Sequence, residues 1–169
     1  IVMLASQPFD DTVRRKLVYA AIKSVNKLRN VSLILRPHPR EDLALHLNAA
    51  ACESNVVVSP EASIHDLLTL SDVLLSVRST VILESCLLET PVLLLTFTEE
   101  GTNPFYSTNN GFPEIDDIKN LSPRIKSVLG PEGRSLREQQ PSFGRQFAHN
   151  IDAGATDRII DLIEMVSHR

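Results

Sequence analysis

The sequence lacks the features of several large classes of protein. Its longest apolar run, around Val92 to Leu95, is far too short to cross a bilayer. The 17 Lys and Arg residues are outnumbered by 21 Asp and Glu, and this net charge of -4 argues against long nucleic acid as a partner. Only two cysteines occur, Cys52 and Cys86, without partners at metal-ligand spacing. Both are predicted to be reduced core residues of a cytoplasmic protein.

Three sequence motifs of nucleotide and hydrolase chemistry are also absent. No G-x-G-x-x-G follows the first predicted strand, no phosphate loop ends in Gly-Lys-Ser or Gly-Lys-Thr, and no G-x-S-x-G occurs. Dinucleotide-dependent and ATP-hydrolysing enzymes are therefore not expected. No metal site is expected either, because four histidines are scattered on predicted helices without paired ligands: His46, His65, His149 and His168.

The composition indicates one ordinary folded domain. Apolar residues make up 43% and charged residues 22% of the 169 residues, and no linker or repeat divides them. We expect residues 1–169 to form a single domain. Because the chain begins at Ile1 without an initiator methionine, we also expect it to be part of a longer protein.

Short β-rich runs alternate with segments of helical period, which is typical of βαβ units around a parallel sheet. The prediction is a Rossmann-like α/β fold of about five strands flanked by helices. The strands are expected at 1–5, 31–35, 55–59, 72–76 and 91–96, with helices at 11–28, 41–54, 63–70 and 79–88 between them. After a polar loop at 97–113, the helical C-terminal segment is expected at 116–129, at 132–149 with an interruption near Pro141 and Gly144, and at 155–167.

Ligands of open parallel sheets bind outside the carboxyl ends of the strands, so the loops that follow the strands are the candidate site. The loop after the second strand holds His38 between two prolines and two arginines, Arg36 and Arg40. The prolines fix an extended backbone, so the imidazole could donate to a phosphate oxygen with an arginine beside it. The alternative is that the prolines only end the strand and His38 is a surface residue.

The loop after the fourth strand places Ser79 and Thr80 at the start of a helix, where free backbone N–H groups attract anions. The alternative is an ordinary helix cap, which favours the same residue types. Glu84, one turn further on, stands among apolar residues and at the wrong spacing for a capping box. A pair of ribose hydroxyls would satisfy its carboxylate; a solvated face or an ion pair is the rival interpretation.

Four segments together resemble the C-terminal, nucleotide-binding half of GT-B glycosyltransferases: Arg36-Pro37-His38-Pro39, the run from Ser71 to Glu84, Glu89-Thr90-Pro91-Val92, and the run from Asp152 to Arg158. The arrangement is similar to the capsule-polysaccharide, polysialyl- and CDP-glycerol-transferase group. More distantly it is similar to UDP-N-acetylglucosamine 2-epimerases. The resemblance covers most of the chain.

The resemblance implies a role for each candidate residue. His38 would contact a donor phosphate as the catalytic group, the helix start at Ser79, Thr80 and Val81 would hold that phosphate, and Glu84 would hold the ribose. Arg36 or Arg78 could also reach the diphosphate. The implied substrate is a CDP-, CMP- or UDP-activated sugar or alcohol used in cell-surface glycan synthesis, in the cytoplasm or at the inner face of the membrane, with no metal or other cofactor.

Three hypotheses about function stay open on the sequence alone. The first is the donor-binding domain of a transferase, which needs an N-terminal acceptor domain for full activity. The second is an epimerase-like isomerase domain, which is weakened because Val77-Arg78 stand where such relatives have glycines and because Ser85 follows Glu84 in place of a second acid. The third is a non-catalytic module that binds a partner protein. The aromatic residues of the 97–113 loop could form a donor-site wall or an interface: Phe97, Phe105, Tyr106 and Phe112.

Overall fold

The computed structural model describes residues 1–98, 100, 105–107, 110–148 and 152–167. They form one six-stranded parallel sheet with helices on both faces. The strands are β1 Val2–Ala5, β2 Leu33–Arg36, β3 Val56–Val58, β4 Val73–Ser76, β5 Val92–Leu95 and β6 Glu114–Ile115. The helices are α1 Asp11–Val25, α2 Ala44–Ala50, α3 Ile64–Leu70, α4 Val81–Leu87, α5 Leu121–Val128, α6 Pro131–Phe147 and α7 Ala155–Ser167.

The strand order is β3-β2-β1-β4-β5-β6, so the direction of winding reverses between β1 and β4. Leu4 of β1 is in register with Leu35 of β2 on one side and Leu75 of β4 on the other. The predicted parallel α/β sheet is confirmed. The sixth strand was not predicted, because its two residues are too few to show a strand period.

The core has two layers, one on each face of the sheet. Alternate residues of β1 point to opposite faces, so Val2 and Leu4 belong to one buried cluster while Met3 and Ala5 belong to the other. The first cluster includes residues of α1 and α5, and the second includes residues of α3, α4 and α6. Helices on both faces explain why the strands are almost continuously apolar.

Helix α6 is continuous, so the predicted interruption near Pro141 and Gly144 is wrong. Packing on both sides of the proline overrides its local preference. The buried amide of Gln140 accepts from the Val92 nitrogen at 2.9 Å and donates to the Val92 oxygen at 3.2 Å. Three residues past Gln140 along the helix, Phe143 stacks edge-on against Phe112 with ring centroids 5.0 Å apart.

Other differences from prediction lie at the ends of elements. Helix α2 stops at Ala50 and not at residue 54, so Cys52 lies in the following turn and is exposed, contrary to its predicted place in the core. Cys86 is buried as predicted, and burial raises the pKa of its thiol to about 12. The predicted helix at 116–129 begins as a 3-10 turn, Ile118–Asn120, before α5.

The C-terminal helix α7 has its predicted bounds. Its first turn is fixed by Asp152, which pairs with Arg158 at 3.0 Å and accepts from the nitrogen of Gly154. None of the helices in the described ranges is both long and apolar enough to cross a membrane. His149 and His168 lie outside the described residues, as does part of the 97–113 loop.

Candidate functional site

Side-chain hydrogen bonds join the loops that follow β1 and β4, at the point where the sheet reverses. The amide of Gln7 donates to the main-chain oxygen of Arg78 at 2.6 Å and accepts from its nitrogen at 3.0 Å. This two-bond clamp holds the backbone just before the start of α4. The carboxyl ends of β1 and β4 are where ligands of doubly wound sheets bind.

The loop after β2 is held against the same β1 loop by one carboxylate. Glu41 accepts from the Ser6 hydroxyl at 2.8 Å through one oxygen and from the His38 nitrogen at 2.7 Å through the other. The Arg40 nitrogen donates to Nδ1 of His38 at 3.1 Å. With Nδ1 acting as an acceptor, the neutral ring carries its proton on Nε2 and can donate to a ligand there.

The two arginines that flank His38 in sequence are placed differently. Arg36 is partly buried, and its guanidinium donates to the carbonyl oxygens of Pro37 and Pro60, which ties the end of β2 to the loop after β3. Arg40 is exposed. Arg36 therefore supports neighbouring backbone in this structure, while Arg40 is free to face solvent.

Arg78 is exposed and lies between two groups of its own chain. Its guanidinium pairs with Glu100 and stands 5.3 Å from the ring centre of Phe9. A phosphate bound at the start of α4 would compete with the Glu100 carboxylate for this guanidinium.

The start of α4 has one local side-chain bond. The Ser79 hydroxyl accepts from the Val81 nitrogen at 3.3 Å, while Thr80 is the N-cap residue and makes no side-chain capping bond. Thr80 is exposed and Ser79 partly so. The N–H groups of Ile82 and Leu83 donate to the carbonyl oxygens of Ser79 and Thr80. Thr80 and the start of this short helix lie at the same sheet edge as the loops joined by Gln7 and Glu41.

Glu84 contacts His65 of α3, with Nε2 and Oε2 3.1 Å apart. The Glu84 side chain is 35% exposed and that of His65 is 64% exposed, so the pair is open to solvent. This contact matches the geometry of the ion-pair interpretation, which also requires a protonated imidazole. It leaves room for ribose hydroxyls to share or replace the imidazole, because the other carboxylate oxygen is not used by that contact.

Nothing in the sequence marks Gln7, Glu41 or His65 as members of the site. Gln7 and Glu41 lie in the loops that follow β1 and β2, but no residue pattern shows that their side chains reach across to a neighbouring loop. In the sequence, His65 is only a histidine without a partner at metal-ligand spacing. Tyr106 and Phe112 are buried in the core, so these two rings of the 97–113 loop are not available to a ligand or a partner.

A buried histidine lies directly beneath the β2 loop. Nε2 of His46 stands 4.0 Å from Oε2 of Glu41, longer than a hydrogen bond. Burial lowers the pKa of His46; the Glu41 carboxylate opposes that shift and Arg14 adds to it. The imidazole of His46 is therefore neutral at pH 7.

The predicted site residues lie at the carboxyl edge of the sheet, away from a cavity at its other edge. A cavity of about 530 Å³ lies at the opposite, amino ends of β1 and β4, lined by Ile1, Arg29 and Asp72 among others, and none of the predicted site residues lines it. Among the residues that the structure describes, no group of three or more His, Cys, Asp or Glu could hold a metal ion.

The chain shares its fold with GT-B proteins. MnaA from S. aureus, solved with UDP, matches with a TM-score of 0.69 at 14% identity over 99% of this chain and 44% of its own. The wall teichoic acid polymerase TagF, solved as an H444N variant with CDPG, matches with a TM-score of 0.64 at 17% identity over 97% of this chain and 40% of its own. The UDP-GlcNAc 2-epimerase from Neisseria meningitidis, bound to UDP-GlcNAc, matches with a TM-score of 0.57 at 14% identity over 85% of this chain and 38% of its own.

The suspected resemblance to one half of a GT-B protein is thus confirmed at the level of fold. This chain spans less than half the length of these structures. No protein-family model matches the sequence, and no curated protein matches it.

Proposed function

We propose that this chain is the donor-nucleotide-binding domain of a glycosyl- or glycerophospho-transferase that acts in cell-surface glycan synthesis. The observation that carries the proposal is the hydrogen-bonded joining of three loops at the switch point of the sheet, by Gln7 and Glu41. Those loops carry His38 and Ser79. Open α/β sheets bind nucleotides at this position.

In this proposal the donor diphosphate lies between His38 and the start of α4. Nε2–H of His38 and the Thr80 hydroxyl, which makes no side-chain capping bond, donate to phosphate oxygens, and Arg78 exchanges Glu100 for the diphosphate. These donors stabilise the charge that develops on the leaving nucleotide as the bond to the transferred group breaks. Glu84 accepts from the ribose hydroxyls.

The acceptor would be held by a second domain or subunit. The support for this is that the neighbours solved with nucleotides are more than twice as long as the part matched here. Helix α7 also exposes large apolar side chains that a further domain could cover: Ile159, Ile160, Leu162, Ile163, Met165 and Val166. Work on a surface polymer would place the protein in the cytoplasm or at the inner face of the membrane.

An epimerase-like isomerase domain is the second candidate. The structural match to an epimerase bound to UDP-GlcNAc favours it. The exposed Arg78, engaged by Glu100 at the position where glycines would be expected from the resemblance, favours the transferase instead.

Thermal unfolding with CDP, CMP, UDP, UMP, GDP and ADP tests the proposal. Ligand at a hundred times its dissociation constant stabilises a protein by about 2.7 kcal/mol, and each kcal/mol raises Tm by about 2–4 °C for a chain of this size. A selective rise with a cytidine or uridine nucleotide is expected, with loss of the rise in His38→Ala and Glu84→Ala. The exposed Glu138→Ala in α6 is the control and should respond like the wild type.

No rise with any nucleotide in a folded wild-type chain would contradict a self-sufficient donor domain. It would favour the third hypothesis, a module that depends on a partner protein.

A further inference from the structure

Glu41 is a carboxylate removed from water at the centre of the candidate site. Its side chain is 1% exposed, although glutamate is seldom buried without compensating partners. The compensation is two short hydrogen bonds, from the Ser6 hydroxyl and from the His38 nitrogen. Each carboxylate oxygen therefore receives one donor.

This arrangement excludes a direct chemical role for Glu41. Both oxygens are already used within the protein, and the side chain has almost no contact with solvent. A general base must reach the proton that it removes. The buried carboxylate can act only through the groups that it holds.

The groups that it holds belong to two different loops. The Glu41 nitrogen donates to the His38 oxygen at 2.9 Å, so main chain and side chain of Glu41 together close a tight turn over residues 38–41. Within that turn the Arg40 nitrogen reaches Nδ1 of the His38 ring. Through Ser6 the same carboxylate fixes the turn against the end of β1.

We propose that Glu41 is the positioning residue of His38: it closes the turn that carries the imidazole and fixes that turn to the β1 loop at the switch point. The positioning of the ring follows from the contacts alone, whereas its consequence for nucleotide binding rests on the proposed function. A glutamine at this place can keep the geometry, since its oxygen accepts from the His38 nitrogen and its amide donates to a rotated Ser6 hydroxyl. Alanine keeps neither bond.

Amide hydrogen exchange tests the positioning without any nucleotide. The reporter is the Arg40 N–H, because its acceptor is the His38 ring and not Glu41 itself. We expect its exchange to be about tenfold faster in Glu41→Ala, because local opening of the turn no longer breaks the Glu41 bonds. In Glu41→Gln and in the control Glu138→Ala the rate should stay near that of the wild type.

Binding of UDP and CDP tests the consequence. Glu41→Ala should lower the affinity for the nucleotide that binds by the same factor as His38→Ala. The double variant should bind no more weakly than His38→Ala alone, because both changes remove the same contact, that of His38 with the nucleotide. Full additivity would overturn the proposal. If the wild type binds neither nucleotide, the proposed function fails, while the exchange rates still decide the positioning role.

Unchanged protection of the Arg40 amide in a folded Glu41→Ala chain would overturn the proposal. Equal loss of protection in the glutamine and alanine variants would also overturn it, because charge and not geometry would then matter. If the alanine variant does not fold, Glu41→Asp carries the same test, since its carboxylate is one methylene too short to hold both Ser6 and His38.

Discussion

At the scale of single residues, the site depends on polar side chains that bind backbone. The Gln7 amide hydrogen-bonds to the main-chain nitrogen and oxygen of Arg78, and the Glu41 carboxylate accepts from the nitrogen of His38. Such contacts fix where a loop lies and leave the residues that project from it free for a ligand. The side chains that a ligand would meet are partly exposed, whereas the supporting Glu41 side chain is buried.

The Glu84–His65 pair should contribute little to the stability of the fold. Ion pairs exposed to this degree are worth about 0–1 kcal/mol. We expect His65→Ala and Glu84→Ala to shift Tm without ligand by no more than about 4 °C, measured by calorimetry. In the presence of nucleotide, His65→Ala should bind at least as tightly as the wild type, because Glu84 loses a competing donor.

Loss of nucleotide binding in a folded His65→Ala chain would contradict this interpretation. The imidazole would then itself be part of the ribose contact.

The buried His46 should make the chain less stable in acid. Its lowered pKa means that the unfolded chain, with an ordinary histidine pKa near 6.5, takes up a proton that the folded chain refuses. Stability is therefore full above about pH 6.5 and falls as the pH drops towards the folded pKa, by at most about 1.4 kcal/mol per pH unit for this one group. Urea unfolding at pH 7.5, 6.5 and 5.5 measures this fall in the free energy of unfolding.

His46→Leu removes this titration and should give a shallower fall between pH 6.5 and 5.5. An identical fall in both chains would show that other groups cause the acid sensitivity.

At the scale of elements, what the sequence predicts depends on whether local pattern or distant packing decides. Strands β1 to β5 and helices α1 and α7 can be predicted from the spacing of their apolar residues and from caps such as Asp10. The Asp10 carboxylate accepts from the nitrogens of Thr12 and Val13. Strand β6, which was not predicted, is only two residues long. Helix α6 continues through Pro141 because Gln140 and Phe143 are anchored in the core. Neither fact can be derived from local pattern.

The same division applies to the candidate site. The loops at the carboxyl ends of the strands follow from the βαβ pattern, so His38 and Ser79 could be nominated. The clamps made by Gln7 and Glu41 could not, because they depend on which side chains span 71 and 35 residues of sequence separation.

Two glycines of α6, Gly133 and Gly144, allow this helix to approach its neighbours closely. Replacing each by alanine should destabilise the fold to a different extent. A methyl group at Gly133 would overlap the carbonyl oxygen of Val128, which is backbone and cannot turn away. At Gly144 it would stand 3.0 Å from Cβ of Cys86 and 3.1 Å from Cδ2 of Leu87, and the flexible leucine can yield.

Gly144→Ala should lose about 1–3 kcal/mol from overpacking, offset by about 1 kcal/mol of helix propensity. Gly133→Ala should lose more, and urea unfolding measures both. The exposed Arg145→Ala in the same helix is the control, with a change within about 0.5 kcal/mol. A Gly144→Ala chain less stable than Gly133→Ala would contradict the described α5–α6 contact.

At the scale of the whole molecule, the two ends of the sheet have different characters. The carboxyl edge carries hydrogen-bonded loops with partly exposed polar side chains. The cavity at the amino edge has none of the candidate residues. A donor edge with exposed polar groups is what a domain needs if a second domain is to close over the ligand and exclude water from the reacting phosphate.

Helix α7 provides the most direct test of that second domain. Its large apolar residues are 48–66% exposed, and none of its described residues is buried. Apolar faces of this kind mark contact sites, so the chain studied by itself should associate through α7 at high concentration. Sedimentation velocity should show a dimer population that declines on dilution.

Replacing Ile159 and Ile163 by serine should weaken that association by more than about tenfold, because burial of one isoleucine is worth about 1.5–3 kcal/mol. Asp161→Ser with Glu164→Ser changes neighbouring positions of the same helix and is the matched control. The two isoleucine changes should leave Tm almost unaltered, since these side chains are already in water. A large fall in Tm would mean instead that α7 packs on its own domain, and the acceptor domain would have to bind elsewhere.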